Sequence, residues 1–153
     1  MSVQRPQSGF TLLEIMVAFT IAALLVGLST PMAVKMYDSM KYREAVRSVV
    51  SGIHAARYGA MVRGETVDFV VTPVERQFQI GKGEIKRLPE SISLTVHAAR
   101  EVSHGDGTAV IRFYPDGSSS GGSVDLQHES GKAVRLRVDW LLGKLTQEGY
   151  APT

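Results

Sequence analysis

The sequence predicts an α+β fold, with one long N-terminal helix packed on antiparallel β-sheet. Three observations carry that expectation. An apolar run from Phe10 to Val34 holds a single charge; an apolar stripe recurs every three or four residues from Val46 to Ala60; and the period changes to two from Val67 onward. At 153 residues the chain has the size of one domain, with room for an appended segment but not for a second domain. Its 44% hydrophobic and 21% charged residues exclude disordered and low-complexity classes. The absence of Cys removes disulfides, thiol nucleophiles and thiolate zinc sites. A formal charge of +2 is too small an excess to argue for nucleic acid by itself.

The first element is the apolar run. Its one charged residue is Glu14, and Ile15 to Leu28 has Thr20 as its only hydroxyl. Some twenty-five helical residues at about 1.5 Å each reach roughly 37 Å, enough to cross a hydrocarbon core of about 30 Å. The run is too long for a secretory signal peptide, and Ser29-Thr30-Pro31-Met32-Ala33 offers no small-x-small cleavage site. A carboxylate inside such a span costs on the order of 2.5–3.5 kcal/mol, so Glu14 calls for a partner. Arg5 precedes the run while Lys35, Lys41, Arg43 and Arg47 follow it, so flanking charge alone does not orient it with the C-terminus outside.

The helix continues. Val46, Val49, Val50, Ile53, Ala56 and Ala60 form one stripe, with Arg43, Glu44, Arg47, Ser48, Ser51, His54 and Arg57 largely off it. Met36 to about Val62 therefore reads as amphipathic, with Gly27 and Pro31 loosening or kinking the join. Gly59 and Gly64 mark its end, Gly64 as the C-terminal cap.

Short strands follow. Val67, Phe69 and Val71 alternate with polar or outward positions, then come Gln77 to Ile80, Ile92 to Val96, Ile111 to Phe113, Val124 to Leu126 and Val134 to Trp140. Gly81-Lys82-Gly83, Gly105-Asp106-Gly107, Pro115-Asp116-Gly117 and Ser130-Gly131-Lys132 are the turns between them. Such alternation predicts antiparallel sheets with one buried face.

Gly9-Phe10-Thr11-Leu12-Leu13-Glu14, after a polar leader containing Arg5, resembles the class III signal of type IV pilins and type II secretion pseudopilins. The resemblance implies that a prepilin peptidase cuts between Gly9 and Phe10 and methylates the new amine of Phe10. A free α-amine titrates near 7.7–8.0 and is largely cationic at neutral pH. Glu14 stands one helical turn from it, so the two can neutralise each other within a subunit or between staggered neighbours. The plainer reading of Glu14 is a carboxylate that favours the helix N-terminus through the macrodipole. Ile111-Arg112-Phe113-Tyr114-Pro115-Asp116-Gly117, Ser118 to Gly122, and Val138-Asp139-Trp140-Leu141-Leu142-Gly143-Lys144 resemble the H-type minor pseudopilin domain. The stretch from Thr66 to Asp106 carries no such signature.

The two resemblances imply a pilin-like α+β fold in three parts. Residues 1–9 would be a cleaved leader, 10–34 a transmembrane and filament-core helix, and 35–153 a periplasmic globular domain. Loss of the leader removes Arg5 and takes the formal charge from +2 to +1. The implied function is that of a minor pseudopilin in the type II secretion pseudopilus, single-pass in the inner membrane. Its partners would be other minor and major pseudopilins and the prepilin peptidase. The alternative is a minor type IV pilin of a twitching or DNA-uptake machine, which would then bind DNA.

No catalytic, cofactor or metal site is expected. His54, His97, His104 and His128 show no ligand-spaced pair, and Asp106-Gly107 and Asp116-Gly117 lack the alternating oxygens of a calcium loop. Ser118 to Ser123 joins two strands and opens no helix, so it lacks the N-terminus of a phosphate cradle. Lys132, Arg135, Arg137 and Lys144 are the candidate DNA contacts, since Arg135 and Arg137 share the outward face of one strand. Asp139, Glu129 and Glu148 dilute that face and no aromatic residue interleaves it, so a solvated sheet face is the stronger reading.

Overall fold

A computed structural model describes residues 9–98 and 107–149, apart from the side chains of 27–36. The leader before Gly9 and the turn residues His104, Gly105 and Asp106 lie outside the described residues. The helix begins at an N-cap: Thr11 Oγ1 accepts a hydrogen bond from the Glu14 N–H at 3.2 Å. Helix α1 then spans Leu12–Arg63 without interruption, so the positions of Gly27 and Pro31 are not helix ends. It closes at Gly64, whose φ of +67° is open to glycine at no steric cost. The Gly64 N–H donates to Ala60 O at 3.0 Å, the expected C-terminal cap. Gly59 lies inside the helix.

The chain divides between Met40 and Lys41 into two compact units. In the first unit the large apolar side chains from Phe10 to Val26 are exposed all around the helix. Among the described residues no helix is long and apolar enough to cross a membrane. The described side chains of α1 up to Val26 cover only about 22 Å of rise, short of a hydrocarbon core of about 30 Å. The rest of the expected 10–34 span lies outside the described side chains.

The second unit carries the eight strands found among the described residues. They are β1 (Val67–Thr72), β2 (Gln77–Ile80), β3 (Lys86–Arg87), β4 (Ile92–Ala98), β5 (Ala109–Phe113), β6 (Gly122–His128), β7 (Ala133–Val138) and β8 (Leu145–Gly149). They form two four-stranded sheets, in the orders β3-β2-β1-β5 and β4-β6-β7-β8. Every pairing is antiparallel, with Phe69 opposite Ile80 and Ile111, and Leu126 opposite Leu94 and Val134. The outer edge of β5 is covered by the following segment: Ser120 N–H donates to Arg112 O at 2.8 Å, and Arg112 N–H to Ser120 Oγ at 3.0 Å.

The core follows the periodicities. Val46, Val49, Ile53, Ala56 and Ala60 of α1 are buried, joined by Ala45, while Val50 lies half-buried at the margin. They pack with Phe69, Phe78, Ile92, Ile111, Phe113, Leu126 and Leu136 of the sheets. Gly52 sits between these helix residues where Phe69 and Phe78 press closest, their ring centroids 5.3 Å apart. Trp140 departs from the expectation. β7 ends at Val138, because Asp139 Oδ1 accepts from the Leu141 and Leu142 N–H groups and folds 139–143 into a turn. β3 and β8 also went unmarked by alternation.

Candidate functional site

Two places carry the sequence signatures. At the N-terminus, Gly9 and Phe10 precede the helix, and Phe10 is 80% exposed. A Cβ built on Gly9 would meet nothing within 4 Å. This fold therefore has no need of glycine there; any requirement must come from what acts on the segment. Glu14 is exposed in the first turn of α1, where the macrodipole favours it. Thr11 caps that turn, so residues 11 and 14 serve the helix start in addition to any role of the carboxylate.

The second place lies in the other unit, where the two C-terminal signature segments meet. Arg57, read from the sequence only as an off-stripe cation, reaches across from α1 and donates from Nε to Gly117 O at 3.1 Å. Gly117 has φ +85°, and a Cβ there would meet Arg57 and Met61 Sδ, both at 3.3 Å. A Cβ on Gly143, φ +59°, would run into the Gly117 carbonyl oxygen and the Arg57 side chain. Buried Ser119 binds the segments together. Its N–H donates to Trp140 O at 2.9 Å, its hydroxyl to Asp139 O at 2.9 Å, and Oγ accepts from Gly121 N–H at 3.0 Å. Asp116 accepts from the Ser118 hydroxyl at 2.6 Å and its N–H at 3.0 Å, which holds the Asp116 carboxyl below its usual range. Gly143 was legible inside its motif; nothing in the sequence singled out Arg57. This hydrogen-bonded turn presents Trp140, Leu141 and Leu142, each more than half exposed.

The four candidate DNA contacts do not form one cluster. Lys132 precedes β7 and Lys144 follows it, at opposite ends of a strand about 20 Å long. Arg135 is committed within the fold. Its Nε and Nη2 donate to Asp125 Oδ1 and Oδ2 at 2.7 and 2.6 Å, from register-paired positions on β7 and β6. Asp125 is only 4% exposed, and His97 Nε2 lies 3.4 Å from its Oδ2. The Arg135 hydrogen bonds hold the Asp125 carboxyl below its usual range against desolvation, and the Arg135 and His97 charges add to them. Arg137 and Lys144 are exposed. The other sheet repeats the device: Arg112 on β5 donates two bonds to its register partner Asp68 on β1, at 2.7 and 2.9 Å. Among the described residues no three His, Asp or Glu side chains converge as a metal-holding group.

Comparison with known proteins agrees with both signatures. Residues 4–30 match the prokaryotic N-terminal methylation motif, and residues 45–142 match the family described as type II transport protein GspH. The chain is 28% identical over 145 residues to type II secretion system protein H of Xanthomonas campestris pv. campestris, covering 94% of this chain and 84% of that protein. It also matches the minor pseudopilin EpsH from the type 2 secretion system of Vibrio cholerae at 12% identity and a TM-score of 0.45, over 77% of this chain and 96% of that one. The GspH match spans Ala45 to Leu142 and so takes in the core stripe, both sheets up to β7 and the Arg57–Gly117 junction: the chain belongs to the GspH family of type II transport proteins.

Proposed function

We propose that this chain is a minor pseudopilin, a structural subunit of the type II secretion pseudopilus that supports protein export across the outer membrane. The observation that carries the reading is the presence of both signatures on one chain, the methylation motif at 4–30 and the GspH domain at 45–142. The precursor is cut between Gly9 and Phe10, and Phe10 becomes the methylated N-terminus. The exposure of Phe10 and the open surroundings of Gly9 suit a protease that must reach this bond. Residues 10–34 hold the subunit in the inner membrane, with the domain from 35 onward in the periplasm. The exposed apolar side chains of Phe10 to Val26 support an apolar environment for that helix, lipid before assembly and neighbouring helices after it.

The work of the subunit is assembly, not catalysis. Glu14 meets the Phe10 amine of its own or a neighbouring subunit, which removes two costly charges from an apolar setting. In the periplasmic domain the turn bearing Trp140, Leu141 and Leu142 is the surface we assign to contact with other pseudopilins, because it exposes three large apolar side chains on a backbone tied by Asp139 and Ser119. The engagement of Arg135 by Asp125 speaks against a DNA-binding face. The reading is tested by deleting the gene and following a secreted enzyme. The enzyme should accumulate in the periplasm, and the intact gene should restore export. Normal export without the gene would refute the role.

A further inference from the structure

Each sheet carries an arginine closed on a register-paired aspartate, Arg112 on Asp68 across β5 and β1, and Arg135 on Asp125 across β7 and β6. Arg137 stands two residues beyond Arg135, on the same face of β7, and its register partner on β6 is Ser123. The row continues to His97 of β4 on one side and to Thr146 of β8 on the other. None of these four positions carries a carboxylate. Among the described residues Arg137 makes no ion pair and no side-chain hydrogen bond. The device that appears once in each sheet is half built here, with the cation present and the aspartate replaced by a serine.

A pocket of about 550 Å³ lies over this row, lined by His97, Ser123 and Arg137 together with Trp140. β4 and β7 are two strand spacings apart, about 10 Å, so a carboxylate seated over Ser123 comes between the Arg137 and His97 side chains. Gly121 and Gly122 also line the pocket, at φ +74° and +142°, and add no side chain to fill it. A Cβ at those positions would meet Trp140 Cβ at 3.2 Å and His97 O at 2.9 Å. Asp139 is the one carboxylate among the lining residues, and its Oδ1 is taken up by the Leu141 and Leu142 N–H groups. The pocket therefore offers an unpaired guanidinium beside the exposed ring of Trp140.

We propose that this pocket receives an Asp or Glu side chain from a neighbouring protein, whose carboxylate accepts from Arg137 while the apolar residues beside it lie against Trp140. The pair completes in trans what Asp68 and Asp125 complete within the chain. Charge complementarity selects the occupant, because a planar guanidinium matches a carboxylate through two parallel bonds. The pocket is also continuous with the turn of Trp140, Leu141 and Leu142, so one partner can cover both. An ion pair in open water is worth little, and the apolar cover over this one is what raises it. The identity of the partner rests on the assembly reading; the carboxylate site itself does not.

Trp140 is the only tryptophan of the chain, so its fluorescence reports the pocket directly. The probe is a seven-residue peptide with blocked ends, Glu at its centre, Leu on either side and Gln and Ser outside, titrated into the full chain in non-ionic detergent micelles. The fluorescence should change saturably, and replacing the Glu by its isostere Gln should weaken binding about tenfold. Arg137→Gln, at an exposed position, should remove the difference between the two peptides. Ser123→Asp keeps the guanidinium and places a carboxylate at its register partner, so it should remove the preference as well. Equal affinity of the parent chain for the Glu and Gln peptides would overturn the proposal. So would displacement of the Glu peptide by an equal concentration of a short DNA duplex, since the site would then select phosphate. A preference that appears only after Glu101→Gln would also overturn it, since the chain would then fill the site itself. Peptide binding and export are read separately: normal export without the gene refutes the assembly reading and leaves the carboxylate site as measured.

Discussion

Adding one methyl group at Gly52 and at Gly59 should have opposite effects on stability. Both residues are interior to α1, seven positions apart and hence on nearly the same face. In either place Gly→Ala removes a flexible residue from a helix, a gain of about 0.5–1 kcal/mol. At Gly59 the new Cβ would meet only Val67 Cγ2 at 3.9 Å, an ordinary contact, so the gain should appear in full. At Gly52 it would stand 2.8 Å from Phe78 Cε2 and 2.9 Å from Phe69 Cε2. Those rings are 1% and 0% exposed and packed against each other, so neither can swing away into solvent. Overpacking of a filled core costs about 1–3 kcal/mol. Because the helix gain is common to both variants, the difference between them isolates that cost. Thermal unfolding in detergent micelles reads it: at about 2–4 °C per kcal/mol, Gly52→Ala should melt several degrees below Gly59→Ala. Equal stabilisation by the two would mean that helix and sheet do not approach as closely at Phe69 and Phe78 as described.

The chain beginning at Lys41 should fold alone, because every member of the buried cluster lies between Ala45 and Val138; circular dichroism and a cooperative melt check it. Gly9→Val should leave the unfolding midpoint unchanged, since a Cβ there would meet nothing within 4 Å among the described residues, yet leave a precursor nine residues heavier on a gel. Arg135→Ala should destabilise by about 1–3 kcal/mol, toward the lower end because Arg135 is 33% exposed. Asp125 has its carboxyl pKa lowered in the folded state, so the stability from the pair is present above about pH 4 and is lost as pH falls through the lower folded value. The gap in urea midpoint between parent and Arg135→Ala should therefore be constant from about pH 5 upward and narrow below about pH 4.

What was legible in the sequence was what repeats at a fixed interval. The stripe Val46, Val49, Ile53, Ala56, Ala60 and the alternation in β1, β4 and β7 follow directly from which face must leave water, whereas β6 buries Ser123 and Asp125 as well as Val124 and Leu126. β3 and β8 escaped because Lys86-Arg87 and Leu145 to Gly149 bury almost nothing; only register against a neighbour makes them strands. The Asp68–Arg112 and Asp125–Arg135 pairs depend on register too, which turns and long connections set and periodicity does not. Trp140 kept the alternating phase of β7, but the side chain of Asp139 offered the backbone a turn in its place. Of the candidate sites, the Gly9 to Glu14 motif was readable as local chemistry. Arg57 was not, since its partner Gly117 lies sixty residues away.

Assembly of the subunit turns on Glu14. Replacing Glu14 by Val removes a carboxylate that is costly in lipid, so the variant should enter the membrane and be cleaved at least as well as the parent. The Phe10 amine then loses its partner. The decisive measurement is co-purification of the mature Glu14→Val protein with other pseudopilins at native expression level, beside export of a secreted enzyme. The Glu14→Val protein should be stable, cleaved and membrane-resident, yet no longer co-purify and not restore export, with Asp at this position intermediate. Full co-purification and full export by Glu14→Val would contradict this role of Glu14.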